Sequence, residues 1–387
     1  MMKKLVSVML CLGLSACLLA GCSSDKADVA DDSASSTIAQ PIGGETESPV
    51  VEEPAAEEPE EPTPSGDFKI LDNADAPEGF VYNELSGRLI DASIENQRPI
   101  AAMVDNEKTA LDHFGLNDAD VIYEMVNSLE NNRVTRLMVI IKDWDKVERL
   151  GSVRSARTTN CMLAAEWNAV LLHDGGPFYI NDYIKLDSID NLSGVFARIK
   201  NGKPVEFTEY VTHDDLVKYL KNSTAIDTEY NSYYTGPHFK FSESNAMEGN
   251  TYSSEKDAVG TISLPFPHNA SELHYNADEN MYEYYEYGAA HVDGETGEVL
   301  KFRNVILQRA SMGKYDDNGY MYYNIGGSGE GYYITDGKCV PITWNKPLNL
   351  EGNTVYLDSN GNEIVLNAGT TYIGLIPDDT WSTMVIK

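Results

Sequence analysis

The stretch RPIAAMVDN, from Arg98 to Asn106, is an apolar run that ends in two polar residues. Its apolar part has the length of a β-strand. Strand ends in sheets that combine strands and helices often open onto ligand crevices. The stretch therefore predicts a buried strand that carries Asp105 to the edge of a sheet, where a ligand could reach it.

The segments that follow RPIAAMVDN continue the pattern of strands and add helices. The predicted strands are DADVIYEMV (118–126), VTRLMVIIKDW (134–144) and AVLLHDGG (169–176), and the predicted helices are TTNCMLAAEWN (158–168) and THDDLVKYLKN (212–222). Thr212 stands three residues before Asp215, close to a capping box at a helix start. Strands that alternate with helices favour an α/β domain, which we place at residues 67–235.

Beyond Asn231 the helical spacing disappears and tyrosine becomes frequent, as in MYEYYEYG (281–288). Turn pairs recur between short apolar runs, among them Asn318-Gly319 and Asp336-Gly337. This pattern predicts antiparallel strands joined by hairpins. The fold class we expect is thus an N-terminal α/β domain followed by a mostly antiparallel β domain at residues 236–387.

Residues 1–21 resemble a lipoprotein signal peptide, with Lys3 and Lys4 before an apolar run. Leu19-Ala20-Gly21-Cys22 resembles a bacterial lipobox, which predicts lipidation of Cys22, palmitate included, and a membrane anchor without a membrane span. An ordinary signal peptide with a chance cysteine is the alternative. The expected location is the extracytoplasmic face of a bacterial cell membrane.

Residues 22–66 are rich in Ser, Ala, Pro, Asp and Glu and poor in large apolar residues, which predicts a disordered acidic tether. The whole chain has a formal net charge of −32. Such a charge argues against binding of nucleic acid and other polyanions along the surface. An anionic ligand would therefore need a local basic site.

Only Cys161 and Cys339 remain in the folded part, and two cysteines make neither a disulfide framework nor a zinc site. Two separate buried thiols are favoured over a pair. The histidines outside the candidate site are scattered, so we expect no metal and no cofactor. Asp316-Asp317-Asn318-Gly319 lacks the remaining spacing of a calcium loop and favours a hairpin turn.

The ordered motifs resemble those of the YerB-like bacterial lipoproteins, a two-domain family without an established activity. RPIAAMVDN, GLNDADVIYE, VTRLM, GSVRSAR and AVLLHDGG match its N-terminal domain, and RNVILQ, GGSGEGYYITDGKCVPITWNK and DSNGNEIVLNAGTTYIGLIP match its C-terminal domain. Ser152 stands where the family has proline, and ENNRVTR (130–136) replaces a tighter glycine turn. The resemblance implies the domain division and the lipid anchor.

Seven polar residues of the first half follow or interrupt apolar runs, and we take them as candidates for ligand binding. They are Asp105, Glu124, Arg136, Arg154, Ser155, Arg157 and His173. Because the arginine fork binds carboxylate or phosphate through two parallel hydrogen bonds, an anionic ligand is one interpretation. The alternative is that Arg154 and Arg157 pair with Asp105 and Glu124 and fasten a loop to the sheet.

Catalysis by the same residues is a third interpretation. His173, beside Asp174 and a glycine pair, is the best candidate for a general base. Ser155 would act as nucleophile only if His173 reaches it, and Asp105 with Glu124 would suit glycoside hydrolysis. The catalytic residues stay unassigned.

We thus expect a membrane-anchored binding or scaffold protein whose partner is a cell-wall component or an envelope protein. The alternative is a cell-envelope glycan hydrolase that uses His173 or the carboxylates of Asp105 and Glu124. Whether the chain is an enzyme stays open, with binding favoured.

Overall fold

The structure, a computed structural model, describes residues 69–244, 246–249 and 256–387. The predictions for residues 1–66, including lipidation of Cys22, lie outside these ranges. The strands in chain order are β1 Phe80–Tyr82, β2 Leu89–Asp91, β3 Ile100–Asp105, β4 Val121–Val126, β5 Thr135–Ile141, β6 Arg149–Gly151, β7 Val170–His173, β8 Asn191–Ser193, β9 Ala197–Arg198, β10 Glu209–Thr212, β11 Lys240–Ser242, β12 Lys256–Asp257, β13 Thr261–Ser263, β14 Glu272–Asn276, β15 Met281–Glu286, β16 Ala289–Ala290, β17 Lys301–Phe302, β18 Asn304–Ala310, β19 Met312–Lys314, β20 Met321–Tyr323, β21 Gly327–Thr335, β22 Lys338–Lys346, β23 Val355–Leu357, β24 Val365–Asn367, β25 Thr371–Pro377 and β26 Val385–Ile386.

Helices are few and short. Apart from short 3-10 turns and the single turn Glu130–Arg133, in which Asn131 and Asn132 have positive φ, they are α1 Thr158–Glu166, α2 His213–Leu216 with a π-helical continuation Val217–Lys221, and α3 Ala246–Gly249. The predicted capping box at α2 is confirmed, since Thr212 Oγ1 accepts from Asp215 N at 3.3 Å and Asp215 Oδ2 accepts from Thr212 N at 3.1 Å. None of the helices in the described ranges is long and apolar enough to cross a membrane.

Strand β5 lies between β3 and β4 and is antiparallel to both. Every residue of these three strands is buried. Burial on both faces explains why their sequences are nearly continuous apolar runs rather than alternating ones. The predicted strands in RPIAAMVDN, DADVIYEMV and VTRLMVIIKDW are therefore confirmed, together with the one in AVLLHDGG, which is β7.

These strands belong to a sheet of eleven strands among the described residues. The order is β12-β22-β21-β18-β25-β4-β5-β3-β7-β8, with β23 beside β22. The parallel pair β25–β4, with Thr371 opposite Val121 and Leu375 opposite Met125, connects the two halves of the chain. The sheet thus continues across the predicted boundary between residues 235 and 236, and that boundary stays a prediction.

The fold class needs a correction for the first half, because the chain is mostly β-sheet and an α/β domain is not clearly present. Strands β4 and β5 form an antiparallel pair, and α1 is a helix of nine residues placed before β7. The apolar runs gave the strand positions but not their directions. Alternation of strands with a short helix predicts an α/β domain, but neighbouring antiparallel strands such as β4 and β5 need no helix between them.

The second half matches the expectation of hairpins. MYEYYEYG contains β15, whose residues alternate between half-buried and buried. Asp336-Gly337 forms the turn between β21 and β22, and Asp316–Gly319 lies in the hairpin of β19 and β20, as predicted. Cys161 and Cys339 are separate buried thiols, which confirms that prediction as well.

Candidate functional site

Asp105 and Arg136 face each other at one end of the neighbouring strands β3 and β5 of the large sheet. Asp105 ends β3, Arg136 lies near the start of β5, and the two are cross-strand partners. Both side chains are buried. The antiparallel register therefore places a carboxylate and a guanidinium on the same face of the sheet, at the strand end where the sequence predicted a site.

The GSVRSAR loop, residues 151–157, is fixed to the end of β3 by backbone hydrogen bonds. Asp105 N donates to Ser152 O at 3.0 Å, and Arg154 N donates to Met103 O at 2.9 Å, so the loop follows the end of β3. On its other side, Asp174 N donates to Arg154 O at 3.0 Å. Because the loop runs between the ends of β3 and β7, its arginines are held near Asp105.

Arg154 forms the shortest ion pair of the site. Its Nε lies 2.6 Å from Asp105 Oδ2, and its Nη2 lies 3.3 Å from Glu206 Oε2. Arg136 Nη2 lies 3.8 Å from the same oxygen of Asp105. One buried carboxylate is thus shared between two guanidinium groups.

Arg157 completes a group of three arginines around Ser155. Arg136 Nη1 donates to Ser155 O at 2.7 Å, and Arg157 Nη1 donates to Ala156 O at 3.1 Å. Both guanidinium groups also lie 3.4 Å from Ser155 Oγ. The arginine cluster, defined as Arg136, Arg154 and Arg157, therefore surrounds the backbone of the loop.

Positive charge in the arginine cluster exceeds the negative charge that pairs with it. Among the ion pairs of the described ranges, Arg157 has none, and Asp105 and Glu206 are the carboxylates that contact the cluster. The Nε atoms of Arg136 and Arg157 are buried without a hydrogen-bond acceptor. Unsatisfied buried donors are costly, and the protein itself does not supply an acceptor for each donor of the arginine cluster.

The pKa values of these arginines show the same excess. Burial lowers the pKa of Arg136 to about 9, and the neighbouring charges of Arg157 and Arg154 contribute to the shift. Burial likewise lowers the pKa of Arg157 to about 10, and Arg154 adds to it. Because arginine stays protonated in proteins, these shifts report mainly the cost of burying two cations, which the neighbouring arginines increase and Asp105 partly offsets.

Glu124 does not join the arginine cluster. It is opposite Leu137 in β5, whereas Asp105 and Arg136 belong to the next row, so its side chain leaves the other face of the sheet. There it accepts hydrogen bonds from Tyr372 OH at 2.7 Å and Ser271 Oγ at 2.8 Å. Burial raises the pKa of Glu124 to about 7.

His173 lies at the end of β7 and has partners on both ring nitrogens. Nδ1 is 2.7 Å from Gly175 O, and Nε2 is 3.3 Å from Asn191 Oδ1. The hydrogen bonds of the described residues connect Ser155 Oγ to arginines and not to His173. The structure therefore brings Asp105, Ser155 and the three arginines together and places Glu124 on the other face of the sheet. The hydrogen bonds given for His173 go to Gly175 and Asn191 and not to this group.

Besides Glu206, two neighbours of the arginine cluster were not identified from the sequence. Asn127 Oδ1 accepts from Arg136 Nη1 at 3.0 Å, and the ring of Tyr320 lies 5.1 Å from the Arg157 guanidinium carbon. Asn127 directly follows the predicted strand in DADVIYEMV, a signal that could have included it. Tyr320 comes from the β19–β20 hairpin, far away in the chain, and only the fold places it there.

Comparison with known proteins identifies two adjacent family matches. Residues 85–230 match the model described as "Protein of unknown function (DUF3048) N-terminal domain", and residues 262–373 match the corresponding C-terminal domain. Together they span most of the described chain. The motifs that resembled the YerB-like proteins, from RPIAAMVDN to the segment before Pro377, lie largely inside these matches.

A relative and a solved structure agree with this assignment. YerB of Bacillus subtilis (strain 168), whose name describes it as a lipoprotein, is 24% identical over 300 residues, which are 76% of this chain and 86% of YerB. The crystal structure of Bacillus subtilis YerB matches with a TM-score of 0.65 and 19% identity, over 79% of this chain and 99% of that chain. The chain is homologous to YerB and belongs to the DUF3048 family of two-part proteins.

Proposed function

We propose that this protein is a lipid-anchored binding protein on the extracytoplasmic face of the membrane. The lipobox-like Leu19-Ala20-Gly21-Cys22 and the lipoprotein name of its homologue YerB support the anchor. The acidic, proline-containing segment 22–66 would separate the folded part from the membrane surface. The partner we propose is an anionic component of the cell wall or an acidic segment of an envelope protein.

The observation that carries the binding proposal is the excess of positive charge in the arginine cluster. Three guanidinium groups gather in a chain of net charge −32, and one buried carboxylate, Asp105, lies among them. Arg154 keeps about a quarter of its side chain exposed, so a ligand could approach from its side. Because arginine forks suit carboxylate and phosphate groups, the proposed ligand carries such groups.

The hydrolase alternative has less support from the contacts. Asp105 and Glu124 leave opposite faces of the sheet, and a glycosidase needs its two carboxyl groups on either side of one bond. Asp105 is occupied by Arg154 and by Glu107 N, which donates to its Oδ1 at 2.8 Å. His173 has hydrogen-bonding partners on both nitrogens. Binding is therefore the function we retain.

The experiment compares thermal unfolding of the full-length protein in detergent with and without solubilised cell-wall fragments. The test variant is Arg154→Gln combined with Arg157→Gln. The control is Arg309→Gln, because Arg309 pairs with Glu330 and Asp378 far from the arginine cluster in sequence and at the surface. A second sample of the fragments, with its carboxylates amidated, tests whether negative charge is required.

We expect the fragments to raise the unfolding temperature of the wild type and of Arg309→Gln but not that of the double variant. Amidated fragments should have a weaker effect, and added salt should reduce the effect further. Without ligand, the double variant should unfold at or above the temperature of the wild type, because it removes crowded charge. A large loss of stability without ligand, or an unchanged ligand effect, would contradict the proposal and leave the arginines as structural contacts.

A further inference from the structure

A second group of buried polar side chains shares no residue with the arginine cluster. His113, Glu286 and His291, called the histidine–glutamate cluster below, are 0%, 2% and 3% exposed. One side-chain nitrogen or oxygen from each lies within 4.8 Å of the others. Two imidazoles and one carboxylate are thus gathered at a single buried point.

Three of the four histidine ring nitrogens of this cluster have no hydrogen-bonding partner in the protein. Neither ring nitrogen of His113 has a hydrogen-bonding partner, and neither does Nε2 of His291. The two rings are neighbours, with centroids 5.0 Å apart. Leaving buried polar atoms unpaired costs free energy. A group of such atoms gathered at one point therefore favours binding of an ion.

The side-chain types of the cluster suit a cation. A neutral imidazole is the form that coordinates a metal. Glu286 adds a carboxylate, and its Oε1 already lies 2.8 Å from Nδ1 of His291.

Glu286 is also oriented from outside the cluster. Asn269 Nδ2 donates to Glu286 Oε2 at 3.4 Å, and Thr135 N donates to Asn269 Oδ1 at 3.2 Å. Partners of this kind commonly fix the orientation of metal ligands and raise affinity. The carboxylate of Glu286 is therefore oriented by Asn269, which is itself bound to the first residue of β5.

The cluster connects the two halves of the chain. His113 lies between β3 and β4, whereas Glu286 ends β15 and His291 follows β16. The backbone brings them together, since Gly294 N donates to His113 O at 2.7 Å and Leu116 N donates to Asp293 Oδ2 at 2.6 Å. An ion here would join the segment before β4 to the β15–β16 hairpin.

We propose that His113, Glu286 and His291 bind a divalent transition-metal ion at a buried site between the two halves of the protein. Two imidazoles and one carboxylate form a ligand set that zinc and its neighbours accept. No metal-binding spacing is visible in the sequence because the ligands come from both halves. This site shares no residue with the arginine cluster, and its role does not depend on the function proposed above.

The test uses the full-length protein in detergent, stripped with a chelator and then titrated with Zn²⁺ alone. Metal content after gel filtration and calorimetry give the stoichiometry and affinity. The variants are His113→Gln and His291→Gln. The control is His274→Gln, because His274 is partly exposed and pairs with Glu272 in a similar His–Glu contact at 2.9 Å.

We expect one zinc ion per wild-type chain and a higher unfolding temperature when zinc is bound. His113→Gln and His291→Gln should lose roughly 100-fold or more in affinity, and His274→Gln should bind like the wild type. A wild-type protein that retains no zinc against buffer exchange, or variants that bind as tightly as the wild type, would overturn the proposal.

A second measurement protects the test against variants that do not fold. X-ray absorption of the zinc-loaded wild type should show two imidazoles and oxygen ligands at about 2.0–2.2 Å. A spectrum with fewer than two imidazoles would overturn the assignment whatever the variants do. Such a spectrum would mean that zinc is bound by carboxylates outside the histidine–glutamate cluster.

Discussion

At the scale of single residues, the ion pair between Glu166 and Lys346 is the most deeply buried of the described ranges. Lys346 Nζ lies 3.0 Å from Glu166 Oε2, and both side chains are fully buried. Burial opposes ionisation of Glu166, but the hydrogen bond from His238 and the charge of Lys346 outweigh it and lower the pKa of Glu166 to about 2. This pair joins α1 to β22 and so links the two halves.

Glu166→Gln should destabilise the protein by about 3–5 kcal/mol at neutral pH, because Lys346 keeps a buried charge without its partner. The carboxylate's contribution is present above its unfolded pKa near 4.5 and is lost as the pH falls towards 2. The difference between variant and wild type should therefore shrink below pH 4.5, measured by urea unfolding at several pH values. As a control, Glu363→Gln, which breaks a surface pair with Lys240, should cost less than about 1 kcal/mol. Equal losses in the two variants would contradict this account.

Glu124 predicts the opposite dependence on pH. Its pKa is raised to about 7 by burial, so the folded state keeps its proton while the unfolded state loses it near pH 4.5. Between these values the unfolded state binds fewer protons, and the free energy of unfolding falls as pH rises, by up to about 3 kcal/mol.

In Glu124→Gln this fall should be reduced, because the group that titrates is gone. Unfolding free energies from denaturant titrations between pH 4.5 and 7.5 would measure it. Part of the slope should remain, since burial also raises the pKa of Glu209 to about 7. An identical slope in wild type and variant would show that Glu124 is ionised throughout.

At the scale of elements, the β21–β22 hairpin depends on its turn. Asp336 and Gly337 both have positive φ, 54° and 71°, as a two-residue hairpin turn requires. A Cβ at Gly337 would also lie 3.1 Å from the ring of Tyr275. The glycine is therefore required by both backbone conformation and space.

Gly337→Ala should lower the free energy of unfolding by roughly 1–2 kcal/mol, because alanine is strained in the left-handed region. Gly260→Ala is the matched control: its φ is not positive and its nearest neighbour to a Cβ is Lys387 O at 3.9 Å. It should change stability little. Thermal and urea unfolding of both variants would check this, and similar losses in both would argue against the role of the turn.

At the scale of the whole molecule, several contacts connect the halves that the sequence assigned to separate domains. Strand β25 pairs with β4, and Tyr372 OH of β25 donates to the buried Glu124 at 2.7 Å. The pair of Glu166 and Lys346 joins the halves on another side. Contacts of this kind make independent folding of either half unfavourable.

Residues 67–235 expressed alone should therefore fail to form a stable fold, whereas residues 67–387 should unfold in one cooperative transition. In the shorter chain β4 becomes an exposed edge whose residues are apolar except for Glu124, which favours aggregation. Circular dichroism, tyrosine fluorescence and calorimetry would test the coincidence of the transitions. A soluble shorter fragment with a sharp unfolding transition would instead support two independent domains.

Much of the local structure follows from the sequence. RPIAAMVDN and its neighbours have the length and the continuous apolar sequence of strands that are buried on both faces of a sheet. Asp336-Gly337 forms a turn because these residue types accept positive φ. The capping box of Thr212 and Asp215 is similarly local. The position of the candidate site, at the end of β3 and the start of β5, was also predictable, since polar residues there border or interrupt apolar runs.

The tertiary structure alone decided the rest, because strand order and facing depend on contacts between distant residues. Asp105 ends one apolar run and Glu124 interrupts another, yet the register sends one towards the arginine cluster and the other to Tyr372. Equally, His113 gains its neighbours Glu286 and His291 only when the halves meet. Sequence by itself determined which segments are strands and where polar groups end them; packing determined which of those groups share a site.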